Sequence, residues 1–85
     1  MPRYIVERTF SELPIGLAVI TESVARRNAE LGVTWLHSFV NAEERVAFCV
    51  YEAATPDAIR AAALANDLPV DRITEVRVVD PYRYG

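Results

Sequence analysis

Residues 33–53, VTWLHSFVNAEERVAFCVYEA, predict the centre of the fold. Its two ends, residues 33–40 and 45–53, are rich in β-branched and aromatic side chains, which favour strands. The polar run Asn-Ala-Glu-Glu at 41–44 separates them, and so short a connection predicts an antiparallel hairpin. On each side of this central hairpin, the chain has room for one more strand and one helix.

The flanking sequence supplies those elements. Residues 3–10 (RYIVERTF) predict a first strand, and residues 73–79 (ITEVRVV) predict a fourth. Apolar residues at positions 17, 20, 24 and 31 have the spacing of one helical face, which predicts a helix that ends before a capping Gly32. A second helix is predicted from Thr55, the N-cap, to about residue 67, with Pro56 at its first position. Ile59, Ala62 and Ala63 are its expected inner face.

The element order is therefore β-α-β-β-α-β. Two right-handed crossovers joined by a central hairpin predict an α+β fold of ferredoxin-like architecture, with a four-stranded antiparallel sheet and both helices on one face. With 85 residues, the chain can form one modest core. We expect a single domain over residues 1–85.

Composition excludes several classes of function. The net charge is -3, and the nine basic residues are all arginine and are scattered along the chain, so we expect no nucleic-acid partner. No apolar run approaches the roughly 20 residues of a membrane span, and no secretion signal is evident, so we expect a cytoplasmic protein without a membrane partner. The lone Cys49 excludes an internal disulfide and a Cys-rich zinc site, and we expect it to be buried and inert.

Strand alternation predicts a helix-free face with unusual chemistry. With the hairpin turn centred on residues 42 and 43, residue 37 lies opposite residue 48. In the fourth strand, the neutral alternate residues suit the helix side, which leaves Glu75 and Arg77 on the helix-free side. Tyr4 and Val6 are expected in the core. The predicted helix-free set is Glu7, Trp35, His37, Phe39, Phe48, Glu52, Glu75 and Arg77, of which Glu52 is the member most sensitive to register.

An aromatic sheet face of this kind is usually covered in a folded protein. A second copy of the chain, packed face to face, is the simplest cover. The sequence therefore predicts a homodimer of the dimeric α/β-barrel type, whose interior can hold ligands.

Five stretches resemble one small bacterial family that takes its name from a nickel-binding member. They are PRYIVERTF at 2–10, GVTWLHSFV at 32–40, AFCVYEA at 47–53, TPDAIRAAA at 55–63 and LPVDRITEVRVVDPY at 68–82. The resemblance covers nearly the whole chain in the same order. It implies a ferredoxin-like fold, a homodimer and nickel as the bound metal.

A metal site would centre on His37, the only histidine. Imidazole suits nickel, zinc and copper, and carboxylates complete a mixed nitrogen–oxygen shell. We predict Glu7 as the carboxylate from the same chain and Glu75 as one from the other subunit. In the plainer interpretation, His37 is a hydrogen-bonded core residue, and both acids form salt bridges, for example to Arg8 or Arg77. Glu43 and Glu44, in the hairpin turn, are an alternative surface site for a loosely held ion.

Two other functions stay open from the sequence. Many dimeric α/β-barrel proteins are cofactor-free monooxygenases, isomerases or cyclases that act on small aromatic or lactone substrates. A pocket with Trp35, His37 and Glu75 could carry out such acid–base chemistry, because histidine titrates near neutrality. The third possibility is a structural dimer without a ligand.

Overall fold

The chain folds into a four-stranded antiparallel sheet with two helices, as predicted. A computed structural model describes residues 1–10, 17–41, 43 and 45–82, without the side chains of 17–21. The elements are β1 (Arg3–Thr9), α1 (Leu17–Glu30), β2 (Thr34–Asn41), β3 (Val46–Glu52), α2 (Pro56–Ala65) and β4 (Arg72–Val76). The strands lie in the order β2-β3-β1-β4, so β2 and β4 are the two edges.

Local sequence explains where the helices begin and end. The Thr55 hydroxyl accepts a hydrogen bond from the Ala58 N–H at 3.3 Å, which confirms the predicted N-cap of α2. Gly32 follows α1 with a φ of +77°, a conformation that glycine adopts without strain. The next residue, Val33, donates its N–H back to the Asn28 carbonyl at 2.8 Å and buries its side chain. This six-residue closure is the usual glycine cap of a helix C-terminus.

The core lies between the helices and one face of the sheet. Alternate residues of β1 and β3 are buried there, including Tyr4 and Val6 as predicted. The inner face of α2 is also as predicted, because Ile59, Ala62 and Ala63 are all buried. The side-chain amides of Asn28 and Asn66 join α1 to α2 through a 3.0 Å hydrogen bond. The helices are therefore fixed to each other as well as to the sheet.

The extent of one strand differs from the prediction, and a predicted loop and two residues of a predicted turn lie outside the described residues. Strand β4 ends at Val76, three residues earlier than predicted, and the exposed Val78 and Val79 lie beyond it. The predicted loop at 11–16 and the turn residues Ala42 and Glu44 lie outside the described residues. Among the described helices, none is long and apolar enough to cross a membrane.

Candidate metal-binding face

The sheet face away from the helices carries rows of side chains that are all partly or fully exposed. Each row crosses β2, β3, β1 and β4 in that order, as fixed by the strand pairing. We call this surface the open face. Its three complete rows are Thr34–Glu52–Arg3–Val76, His37–Val50–Ile5–Thr74 and Phe39–Phe48–Glu7–Arg72.

His37 lies on the open face, as predicted. Its ring is exposed and meets the Phe39 ring edge-on, with centroids 5.2 Å apart and an interplanar angle of 85°. The predicted register was wrong by two residues, because His37 pairs with Val50 and not with Phe48. A shift of two residues keeps every side chain on its face, so the predicted grouping of His37 with Phe48 and Glu52 is confirmed.

Trp35 is not on the open face, and that prediction was wrong. The pairing of β2 with β3 skips Leu36, which forms a β-bulge between Trp35 and His37. A bulge changes which face the following residues occupy, so Trp35 pairs with Tyr51 on the helix side. The two rings have centroids 6.5 Å apart, and the indole N–H donates to the Ser38 hydroxyl at 2.8 Å.

The two predicted carboxylates lie on opposite faces. Glu7 lies on the open face as predicted, but Glu75 pairs with Tyr4 and so belongs to the helix side. The pattern of polar and apolar residues gave the wrong face for β4 because β4 is an edge strand. Ile73 packs against the core, whereas Glu75, two residues further along on the same side, stays exposed. Glu75 instead lines an open groove of about 890 Å³ between the start of the chain and residues 75–81. Arg77 lies in that segment, beyond β4.

Two ion pairs occupy opposite ends of the open face. Arg3 Nε lies 3.0 Å from Glu52 Oε1, and Arg72 Nε lies 3.8 Å from Glu7 Oε2. The row of His37 lies between the two rows that carry these pairs and has no charged carboxylate or arginine of its own. The four charges cancel, so the open face is locally neutral although the chain carries -3.

The open face carries nitrogen and oxygen donors of the types that bind nickel, but within one copy of the chain few of these donors lie close together. His37 and Glu7 stand on β2 and β1, with β3 between them, so two strand spacings of about 10 Å in total separate their backbones. Among the described residues, no three His, Cys, Asp or Glu side chains come together as a metal centre. The donors fit nickel in kind, and the remaining ligands would have to come from solvent or another copy.

The sequence also suggested an acidic surface site in the hairpin turn and an acid–base pocket. Glu43 is exposed, but its neighbour Glu44 lies outside the described residues, so that acidic pair has no described geometry. The acid–base pocket expected of an enzyme does not form, because Trp35 and Glu75 lie on the helix side and His37 on the open face.

The helix side holds a buried cation, Arg8, which the plainer interpretation of the sequence offered as a salt-bridge partner for the two acids. Arg8 is only 2% exposed and points away from Glu7, so it cannot form the salt bridge considered above. Its guanidinium donates to the Pro69 carbonyl and, at 3.1 Å, to the Tyr51 hydroxyl. Alternation along β1 could have predicted this burial, since Arg8 follows Tyr4 and Val6 on the core side of the strand.

Among the described groups on the helix side, Tyr51 is the one with a strongly shifted pKa. Burial raises the pKa of Tyr51 to about 12, with Cys49 adding to the rise and Arg8 opposing it. Cys49 itself is buried, as predicted. These groups face the core, so they contribute to stability and do not form part of the open face.

Sequence comparison identifies the family. The family described as nickel responsive protein SCO4226-like matches residues 4–76. The chain belongs to this family. The crystal structure of SCO4226 from Streptomyces coelicolor A3(2) has the same fold, with a TM-score of 0.78 at 11% identity over 92% of this chain and 99% of that one. None of the curated proteins matches the chain. Membership of the SCO4226-like family confirms the resemblance found in the sequence.

Proposed function

We propose that the protein binds divalent nickel, with His37 as the nitrogen ligand, and serves in nickel storage, sensing or detoxification. The family is described as nickel-responsive, and nickel binding by the protein itself would account for such a response. The observation that carries the proposal is the position of the only histidine, which is exposed on the open face. Imidazole nitrogen favours nickel over magnesium and calcium, which prefer oxygen ligands.

Glu7 and Glu75 remain the carboxylates that we assign to this ion. Glu75 was predicted to come from the other subunit, and Glu7, predicted to come from the same chain, is now also assigned to a second copy because β3 separates it from His37. Glu7 shares the open face with His37 but lies across β3 from it. Glu75 is exposed on the edge strand β4 and faces the helix side, so it would reach the ion around the sheet edge. A two-fold axis along the strands would bring β4 of one copy over β2 of the other, because these strands are opposite edges.

A homodimer through the open face is the assembly that this surface supports. Phe39 is 62% exposed and Phe48 38%, and the charges around them cancel. Apolar side chains with ion pairs at both ends of the face match the anatomy of protein interfaces, and local neutrality avoids repulsion between two acidic chains. Light scattering at micromolar concentration should give the mass of a dimer. A stable monomer would contradict this part of the proposal.

Nickel titration by calorimetry tests the function directly. The apo protein should bind nickel with a defined stoichiometry, and His37→Ala should weaken binding at least about tenfold, since a lost ligand costs no less than a lost outer-shell contact. Binding should also weaken in acid, because an imidazole must be neutral to hold a metal ion. Circular dichroism of His37→Ala serves as the control for folding, and a parallel magnesium titration serves as the control for unspecific carboxylate binding.

Unchanged nickel affinity and stoichiometry in His37→Ala would place the site elsewhere. In that case the acids of the hairpin turn, Glu43 and Glu44, become the next candidates. No nickel binding by the wild-type protein would overturn the proposed function itself.

A further inference from the structure

We infer that Glu52 is a carboxylate ligand of the ion at His37, within the same copy of the chain. This inference rests on the proposed nickel binding and adds a residue to the same site. His37 pairs with Val50, and Glu52 lies two residues further along β3. The two side chains therefore share the open face as diagonal neighbours on adjacent strands, typically about 7–8 Å apart at the backbone, which a histidine and a glutamate can bridge through one ion.

The β-bulge at Leu36 clears the space beside this pair. Without the bulge, continuation of the register would place Trp35 directly opposite Glu52 on the open face. With it, the indole packs on the helix side, and the small Thr34 stands opposite Glu52 instead. Bulges often occur next to functional sites because they redirect side chains. The result is a corner of the open face where the His37 imidazole and the Glu52 carboxylate, which is paired with Arg3, lie without the bulk of the indole.

The Glu52 carboxylate is already oriented by the protein. Its Oε1 accepts a hydrogen bond from Arg3 Nε at 3.0 Å, and its side chain is 28% exposed. Its second oxygen makes no hydrogen bond within the described part of the chain, so it can bind a cation while Arg3 holds the first. Glu7 has a longer contact, 3.8 Å to Arg72, and stands across β3 from His37. Glu52 is therefore the better-placed carboxylate within one copy.

One nitrogen and one oxygen donor form the beginning of the mixed shell that nickel accepts. The arrangement gives a single chain a two-ligand half-site, which solvent or a second copy completes. It also explains why no three-residue centre forms among the described side chains of one copy.

Calorimetric titration with nickel chloride on three variants tests the assignment. Glu52→Gln removes the charged ligand oxygen and the ion pair together. Arg3→Gln removes the same ion pair but keeps the carboxylate, so it is the matched control for structural effects. Glu7→Gln removes the other carboxylate of the open face. We expect Glu52→Gln to weaken nickel binding at least about tenfold. Arg3→Gln should bind as tightly as wild type or up to about fivefold tighter, since the exposed ion pair is weak and its cation no longer opposes nickel.

The outcomes separate this inference from the proposed function. Wild-type affinity in Glu52→Gln overturns the inference, and so does an equal loss in Arg3→Gln, because Glu52 would then act only through its ion pair. A loss confined to Glu7→Gln, with none in Glu52→Gln, likewise overturns it. In each of these cases a weakened His37→Ala would leave the proposed nickel binding at His37 intact, whereas an unaffected His37→Ala would place the nickel site elsewhere and so remove the site on which this inference rests. Thermal melting of each apo variant confirms that it is folded.

Discussion

Replacement of Tyr51 by phenylalanine should destabilise the protein at neutral pH by about 2 kcal/mol. The ring stays in place, so no cavity forms, but the buried Arg8 guanidinium loses the acceptor that now lies 3.1 Å away. Hydrogen bonds to charged groups contribute roughly 1.5–3 kcal/mol, and Arg8 at 2% exposure cannot turn to water for a substitute. For a domain of this size, such a loss lowers the melting temperature by roughly 8–16 °C.

Tyr51→Phe should also change how the free energy of unfolding depends on pH. Since the folded-state pKa of Tyr51 is raised from 10.0 to about 12, the folded protein holds this proton more tightly than the unfolded chain. That stability is fully present below pH 10 and is lost as the pH rises to about 12, by roughly 2–3 kcal/mol. Tyr51→Phe has no such proton, so its deficit against wild type should close across this window.

Urea unfolding at neutral pH and at several pH values between 10 and 12 measures both effects. Tyr4→Phe is the matched control, because Tyr4 pairs with Tyr51 and is equally buried, yet its hydroxyl has no hydrogen-bond partner within the described residues. Tyr4→Phe should stay within about 0.5 kcal/mol of wild type at neutral pH. Equal unfolding midpoints for wild type and Tyr51→Phe at neutral pH would refute the role assigned to the Arg8–Tyr51 contact.

Three further predictions concern other parts of the molecule. Phe48→Glu should dissociate the proposed dimer or prevent its folding, since it buries an unpaired charge at the interface; a dimer mass in light scattering would refute this. Cys49, 5% exposed, should react with a thiol reagent far more slowly in the native protein than in denaturant, and equal rates would contradict its burial. Thr55→Ala should cost about 1 kcal/mol in urea unfolding through loss of the α2 cap, and an unchanged midpoint would show that the cap is not stabilising.

Sequence periodicity was sufficient to predict the fold because each element carries its own local signal. The capping Thr55, the glycine after α1 and the short polar turn each fix a boundary through backbone chemistry that acts within a few residues. The order of strands then follows from the handedness of the crossovers. The end of β4 was less predictable, because β-branched residues continue past Val76 while the pairing to β1 stops at Arg3.

The candidate site was only partly predictable, because it depends on register and on which face the helices cover. His37, Glu7 and Glu52 were assigned to the correct face by alternation. The bulge at Leu36 has no glycine or proline to mark it, so Trp35 was misplaced. Glu75 was assigned to the wrong face because an edge strand tolerates a polar residue on either side. The polarity of a residue in β4 therefore does not indicate which face it occupies.

The central claim is that nickel binds at His37 on the open face through nitrogen and oxygen donors. X-ray absorption at the nickel edge of the loaded wild-type protein tests it most directly. The spectrum should show imidazole scattering in a shell of light nitrogen and oxygen donors, and that imidazole signal should disappear in His37→Ala. A sulfur shell would assign the metal to one of the two sulfur-bearing residues, the buried Cys49 on the opposite side of the sheet or the exposed Met1. Either that result or a spectrum without imidazole in the wild-type protein would contradict the proposed site.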